Sequence, residues 1–202
     1  MANKRILKKK KTSLLGQYKL SWNYIKESQK YIWSIVILFF LFSLIGLFFP
    51  VPFGLEGKLM DVLKELVAKT EGLKGLDLIG FIFWNNLQAS FFGIVFGALL
   101  GLFPFLATVF NGYLLGFVSK IVIGKESIFS LWRLFPHGIF ELPAVFISFG
   151  LGLRLGLFFI ERNDKDWKYY FVNSLRVFIL IVIPLLIVAA IIEGILISIA
   201  GN

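Results

Sequence analysis

The stretch that decides the fold is "IGFIFWNNLQASFFGIVFGALLGLFPFLATVFNGYLLGFVSKIV", Ile79 to Val122. A hydrocarbon core about 30 Å thick takes about 20 helical residues to cross, so this run is too long for one crossing and too short for three. Its interior carries "GLFP", Gly101 to Pro104, a glycine suited to ending one helix followed by a proline suited to starting another. The pattern predicts two membrane-spanning helices, over 79–101 and 103–122, joined by a tight turn.

The flanking sequence repeats the theme. An apolar run from Tyr31 to Phe49 is closed by "PVP", which cannot continue a helix. Two more runs cover 135–160 and 177–199, the latter with Pro184 inside it. The residues are 58% hydrophobic, against about 45–50% in a soluble domain, and no soluble domain is left over. Two further helices are expected outside the spans. Trp22, Tyr24, Ile25 and Tyr31 alternate with Lys19, Lys26 and Lys30, which reads as an interfacial helix leading into the bilayer. Over 55–73, Leu55, Leu59, Val62, Leu63, Leu66 and Val67 share one face, with Asp61, Lys64, Glu65 and Lys69 on the other. That is an amphipathic helix, lying flat on the membrane or capping the spans. The expected fold is all-α, with about five transmembrane helices in one domain over 31–202 and a basic tail with its interfacial helix over 1–30.

The formal net charge is +9, but its placement points to a membrane surface rather than nucleic acid. Nine of the 21 Lys+Arg residues fall within Met1 to Lys30, and "KRILKKKK", Lys4 to Lys11, reads as a topology signal able to rest on anionic headgroups. The first apolar run follows a basic stretch too long for a signal peptide and is expected to be retained. Short loops that face the cytoplasm carry the excess of Lys and Arg. An N-in arrangement places 13 of the 21 on that side and seven on the other, with Arg154 inside a span. The expectation is a plasma-membrane protein with a cytoplasmic N-terminus, an extracytoplasmic C-terminus and the amphipathic helix outside.

Helices in lipid associate through small residues that let backbones approach. Gly93, Gly97 and Gly101 form one such row, Gly112 and Gly116 a second, and Ala144, Ser148, Gly152 and Gly156 a third. The spans over 79–101, 103–122 and 135–160 are therefore expected to form a packed core. Polar residues extend the same rows: Asn86 and Ser90 in the first, Thr108 with Asn111 beside it in the second, His137 and Glu141 in the third. With Glu193 of the last span, and Asn85 next to Asn86, a polar cluster is expected in the outer half of the bilayer: Asn85, Asn86, Asn111, His137, Glu141 and Glu193. Such residues either cap and bridge helices or mark a functional site. Arg154 lies toward the cytoplasmic end, positioned to snorkel or to pair with Glu161.

Three of these segments, "NNLQAS" (Asn85 to Ser90), "NGYLLG" (Asn111 to Gly116) and "PHGIFELPA" (Pro136 to Ala144), together resemble the stage II sporulation protein M family. The resemblance runs from about Ile25 to Ile197 and implies a multi-span membrane fold with no assigned chemistry. It carries over to Asn86, Asn111, Gly112, His137, Gly138, Glu141, Pro143 and Ala144. It also implies a scaffolding role, since the family's named member gathers cell-wall hydrolases at the membrane during engulfment in spore-forming bacteria.

Enzyme chemistry finds little to stand on. There is no cysteine and one histidine, so neither a thiol nucleophile nor the paired imidazoles of an H-E-x-x-H site can be assembled. No catalytic residue, metal site or cofactor is expected. Two classes remain: a membrane scaffold whose polar cluster fixes packing and whose partners are membrane proteins or further copies of the chain, or an ion (cation or proton) conduit or carrier using Glu141 and Glu193.

Overall fold

A computed structural model describes residues 13–51, 54–125, 127, 129, 135–161 and 165–200, with the side chains of residues 66, 135–140 and 197–200 outside the described set. The basic stretch Lys4 to Lys11 therefore lies outside the described residues, as does the side chain of His137. The described chain is helical and contains no strand. Helix α1 is Leu14–Glu27, α2 Gln29–Phe48, α3 Glu56–Thr70 and α4 Gly75–Val95, which runs on into a 3₁₀ turn, Phe96–Ala98. Helix α5 is Leu102–Lys125 and α6 Phe135–Leu157. The last helical stretch joins α7 (Trp167–Val177) through a π turn (Phe178–Val182) to α8 (Ile183–Ala200). Among the described residues four helices are long and apolar enough to cross a membrane: Gln29–Phe48, Gly75–Ala98, Leu102–Lys125 and Trp167–Leu196.

Local chemistry explains the boundaries. The Ser28 hydroxyl donates to the Tyr24 carbonyl at 2.7 Å and separates α1 from α2, a side chain competing for a backbone acceptor. The break expected at Gly101–Pro104 begins earlier, because α4 tightens into its 3₁₀ turn at Phe96. Leu100 (φ 55°) and Gly101 (φ 70°) then reverse the chain in left-handed backbone, and α5 starts with Pro104 buried in its first turn. The final helix starts at Trp167, ten residues before the 177 expected from hydropathy. Pro184 lacks an N–H and its ring crowds the carbonyl of Leu180, and the wide turn just before it relieves both.

Helix α6 is central and touches α2, α4, α5, α7 and α8. Its Ala144, Ser148, Leu151 and Leu155 are fully enclosed. The glycine rows set two seams. Along the first, a Cβ at Gly152 would fall on the Gly93 carbonyl, one at Gly97 on the Gly152 backbone, and one at Gly156 on the backbone of Gly97 and Gly101. Along the second, Gly112 and Gly116 meet the Phe39 and Ser43 carbonyls of α2, and Gly46 of α2 meets the Tyr113 carbonyl in return. The glycines of α5 thus face α2, not the other two spans expected to share their core. Helix α4 packs on α6 and α8 while α5 packs on α2, and consecutive helices α4 and α5 barely touch.

Helix α3 is held loosely. None of its described side chains is fully buried, and Leu59, Met60, Val62 and Leu63 form a half-covered face. Its solvent side pairs Asp61 with Lys64 at 3.6 Å and Glu65 with Lys69 at 2.8 Å, the spacing at which helical side chains meet.

Candidate functional site

Because α4 and α5 part company after their shared turn, a wedge opens between them, walled by α6 and α2. It holds a cavity of about 420 Å³. Asn85 and Asn86 of α4, Thr108 and Asn111 of α5 and Glu141 of α6 all line it, among apolar walls that include Phe39, Phe146 and Phe149. Leu63 of α3 reaches the same cavity, so the site belongs to the α3 end of the bundle. A mostly apolar wall carrying a few convergent polar groups is the usual make-up of a ligand pocket, and this volume is of the usual size.

The polar groups differ in what they offer. Asn86 is nearly buried and lies eleven residues into α4, about 16 Å from its start. That is deeper than hydropathy implied, because α4 begins at Gly75 rather than Ile79. The Thr108 hydroxyl donates to the Pro104 carbonyl at 2.6 Å. The Asn111 amide donates to the Ala107 carbonyl at 2.7 Å, which uses one of its two N–H groups and leaves its oxygen as acceptor. Asn85 and Asn111 are both exposed, and Glu141 is half-buried. Among the described residues Glu141 is the one carboxylate on the cavity wall.

Glu193 is placed elsewhere. It is buried on α8, next to Gly194, where a Cβ would run into the Ile79 side chain of α4, and it does not line the cavity. Four of the six residues expected to cluster are thus brought to one cavity. Glu193 is not among them, and the His137 side chain is outside the described set.

A second constellation, at the opposite end, was not read from the sequence. The Arg154 guanidinium lies 4.8 Å from the ring centre of Tyr24, 4.7 Å from that of Tyr170 and 5.8 Å from that of Tyr31. It donates to the Ser28 hydroxyl at 2.6 Å and has the Glu27 carboxylate at 3.9 Å. Cation–π contacts of this kind strengthen as the cation loses water. Tyr24 donates to the Tyr170 carbonyl at 3.0 Å, and burial pushes its hydroxyl pKa up to about 12. Glu161 accepts from the Tyr31 hydroxyl and from Lys30 at 3.0 Å. These bonds, that of Tyr31 first, hold its carboxyl below the usual range. The expected partner Glu161 therefore sits at the rim of the cage, where the Arg154 charge also acts on it, while aromatic faces and Ser28 hold the guanidinium. The signal in the sequence was tyrosine at 24, 31 and 170, but three separate helices had to be placed before it meant anything.

The sequence has counterparts among known proteins. Residues 34–196 match the profile of the stage II sporulation protein M family. An uncharacterized protein of the archaeon Methanocaldococcus jannaschii is 35% identical over 126 residues, 59% of this chain and 55% of that protein. A second uncharacterized protein of the same organism is 30% identical over 118 residues, 55% of this chain and 66% of that protein. The chain thus spans between about half and two thirds of the length of these relatives. No solved structure matches it.

Proposed function

The chain belongs to the stage II sporulation protein M family, and on that premise we propose that it is a non-enzymatic membrane scaffold whose polar wedge receives a helix of a membrane partner or of a second copy. One observation carries this reading. Asn85 and Asn111 are exposed near the middle of helices long and apolar enough to cross a membrane. Amide groups open to hydrocarbon are costly, and in membranes they are met by polar groups of a neighbouring helix. The tight glycine seams support the reading too, because they hold the wedge open. In this reading α6 is the fifth span, the N-terminus is cytoplasmic at the Arg154 end, and the wedge opens in the outer half of a plasma membrane.

The absence of cysteine from the sequence makes the test clean. Single Asn85→Cys and Asn111→Cys variants, treated in native membranes with a short crosslinker carrying two thiol-reactive maleimides, or one maleimide and one amine-reactive ester, are expected to give discrete protein adducts. Trp33→Cys, on an exposed face of α2, serves as the control. Adducts that fail to form at 85 and 111, or form equally at 33, would count against the scaffold.

A second reading rests on the same cavity: Glu141 binds a cation or proton, and Asn85, Asn86, Thr108 and Asn111 supply neutral oxygens, the ligands that hard cations prefer. The position of Glu193 away from the cavity leaves this reading with one carboxylate. Cation flux into liposomes, present in wild type and absent in Glu141→Gln, would favour it over the scaffold.

A further inference from the structure

A recess of about 550 Å³ lies between α1 and α7, beside the arginine cage, with which it shares Tyr24 and Glu27. Its wall also carries a guanidinium that the cage does not use, that of Arg176. Arg176 donates from Nη1 to the side-chain oxygen of Asn173. Asn173 is only 7% exposed and is held in turn by donating to the Tyr169 carbonyl at 2.7 Å. Among the described residues the Arg176 guanidinium meets no carboxylate. A guanidinium has five N–H donors, so most of this one's remain open while a nearly buried amide fixes its direction. A planar fork of this kind suits a phosphate, two of whose oxygens it can meet at once.

The acids of the recess are engaged or remote. Glu27 has Arg154 and Lys165 each at 3.9 Å. Asp166 stands at the start of α7, about 15 Å along the helix from Arg176, with the exposed Lys168 close by. The outer rim thus carries both signs of charge, and the inner end carries a lone cation. Depth adds a constraint of its own. No charged residue follows Arg176 until Glu193, so Arg176 stands at the edge of an apolar run, the level at which a phospholipid carries its phosphate. Leu20 and Val172 line the same recess and are exposed, as is Ile179 one turn beyond Arg176. Apolar surface therefore leads from the guanidinium into the span.

We infer that this recess binds the phosphate of a phospholipid: the Arg176 fork meets two phosphate oxygens, and an acyl chain lies along Leu20, Val172 and Ile179. The mixed charges of the rim leave the rest of the headgroup unselected. This site is independent of the polar wedge and of the role proposed for it.

The test uses the full chain, delipidated in detergent, with retained lipid read by native mass spectrometry. Phosphatidylethanolamine is compared with diacylglycerol of the same acyl chains. The two differ in the phosphate-bearing headgroup, and the phospholipid has no net charge to draw it to the basic N-terminus. Wild type is expected to hold phosphatidylethanolamine about tenfold more tightly, the effect of one charge-assisted contact. Arg176→Gln should erase that preference, and Arg176→Lys should keep part of it, as a point charge without the fork. Lys26 is exposed on α1 and does not line the recess, so Lys26→Gln should leave the preference unchanged. Equal retention of the two lipids by wild type, a preference undiminished in Arg176→Gln, or an equal loss in Lys26→Gln would overturn the site. Displacement of the lipid by glycerol phosphate at equal concentration would overturn the lipid assignment in favour of a water-soluble phosphate ester.

Discussion

The Arg154 guanidinium of α6 donates to the Ser28 hydroxyl at 2.6 Å, so the central helix is fastened to the joint between α1 and α2. Ser28 passes the tie on by donating to the Tyr24 carbonyl. Arg154→Lys keeps the charge but loses the planar face set against Tyr24 and Tyr170, and the two residues are not interchangeable at a stacked site. The lysine variant is expected to be destabilised by about 1–2 kcal/mol, read as a lower melting temperature in detergent, with Arg154→Ala lower still. A lysine variant that melts with wild type would show that charge alone matters there.

The glycine seams predict opposite signs for one chemical change. Gly152→Ala and Gly116→Ala drive a methyl group into a neighbouring backbone and should each cost about 1–3 kcal/mol. Gly80→Ala, in the interior of α4 with open space around it, should stabilise by about 0.5–1 kcal/mol. Thermal melts of the three variants under one condition decide the matter.

The turn between α4 and α5 stores strain at Leu100, whose φ of 55° suits glycine and costs other residues about 1–2 kcal/mol. Leu100→Gly is expected to leave stability unchanged or raise it by up to about 1 kcal/mol, because relief of strain is offset by a looser unfolded chain. Gly101→Ala should be destabilising on two counts, a φ of 70° and the Leu153 side chain 2.8 Å from the added carbon. Chemical denaturation in mixed micelles would rank the pair.

Glu161 makes stability depend on acid. Its folded-state pKa lies below its ordinary value of 4.5 because Tyr31 and Lys30 bond the carboxylate. Its contribution is therefore fully present above about pH 4.5 and is lost as the pH falls through the lower folded value. Wild type should lose its melting-temperature advantage over Glu161→Gln on acidification through that window. A gap that stays constant would show that the carboxylate adds nothing to this corner, as many exposed pairs do.

The spans were legible where hydrophobic length and a breaker coincide, as at Phe49–Pro52 and Gly101–Pro104. The glycine rows were legible as rows, but their partners were not: spacing shows that Gly112 and Gly116 are small, and only three dimensions show that they meet Phe39 and Ser43. The early start of α7 was hidden because the span was read from hydropathy, and Lys168, Asn173, Ser174 and Arg176 keep this stretch polar, although its buried face of Tyr170, Asn173, Ser174 and Val177 repeats at helical spacing. Asn86 and Glu141 lie on rows read from the sequence, whereas Asn85 and Asn111, which line the same cavity, are exposed beside those rows. Glu193 fell outside because depth along α8 says nothing about which neighbour its side chain faces.

The wide turn at Phe178–Val182 has a consequence for how the two ends of the protein are phased. Ser174, Phe178, Val182, Leu186 and Ala190 are all buried, a row at every fourth position. In an unbroken α-helix such a row would wind about 40° around the axis at each step. The broader pitch takes up part of that winding and keeps a single stripe facing inward along the whole shaft. The turn therefore works as a gear between Tyr170, in the arginine cage, and Glu193, beside α4: adding or removing one residue there would rotate one end against the other by about 100°.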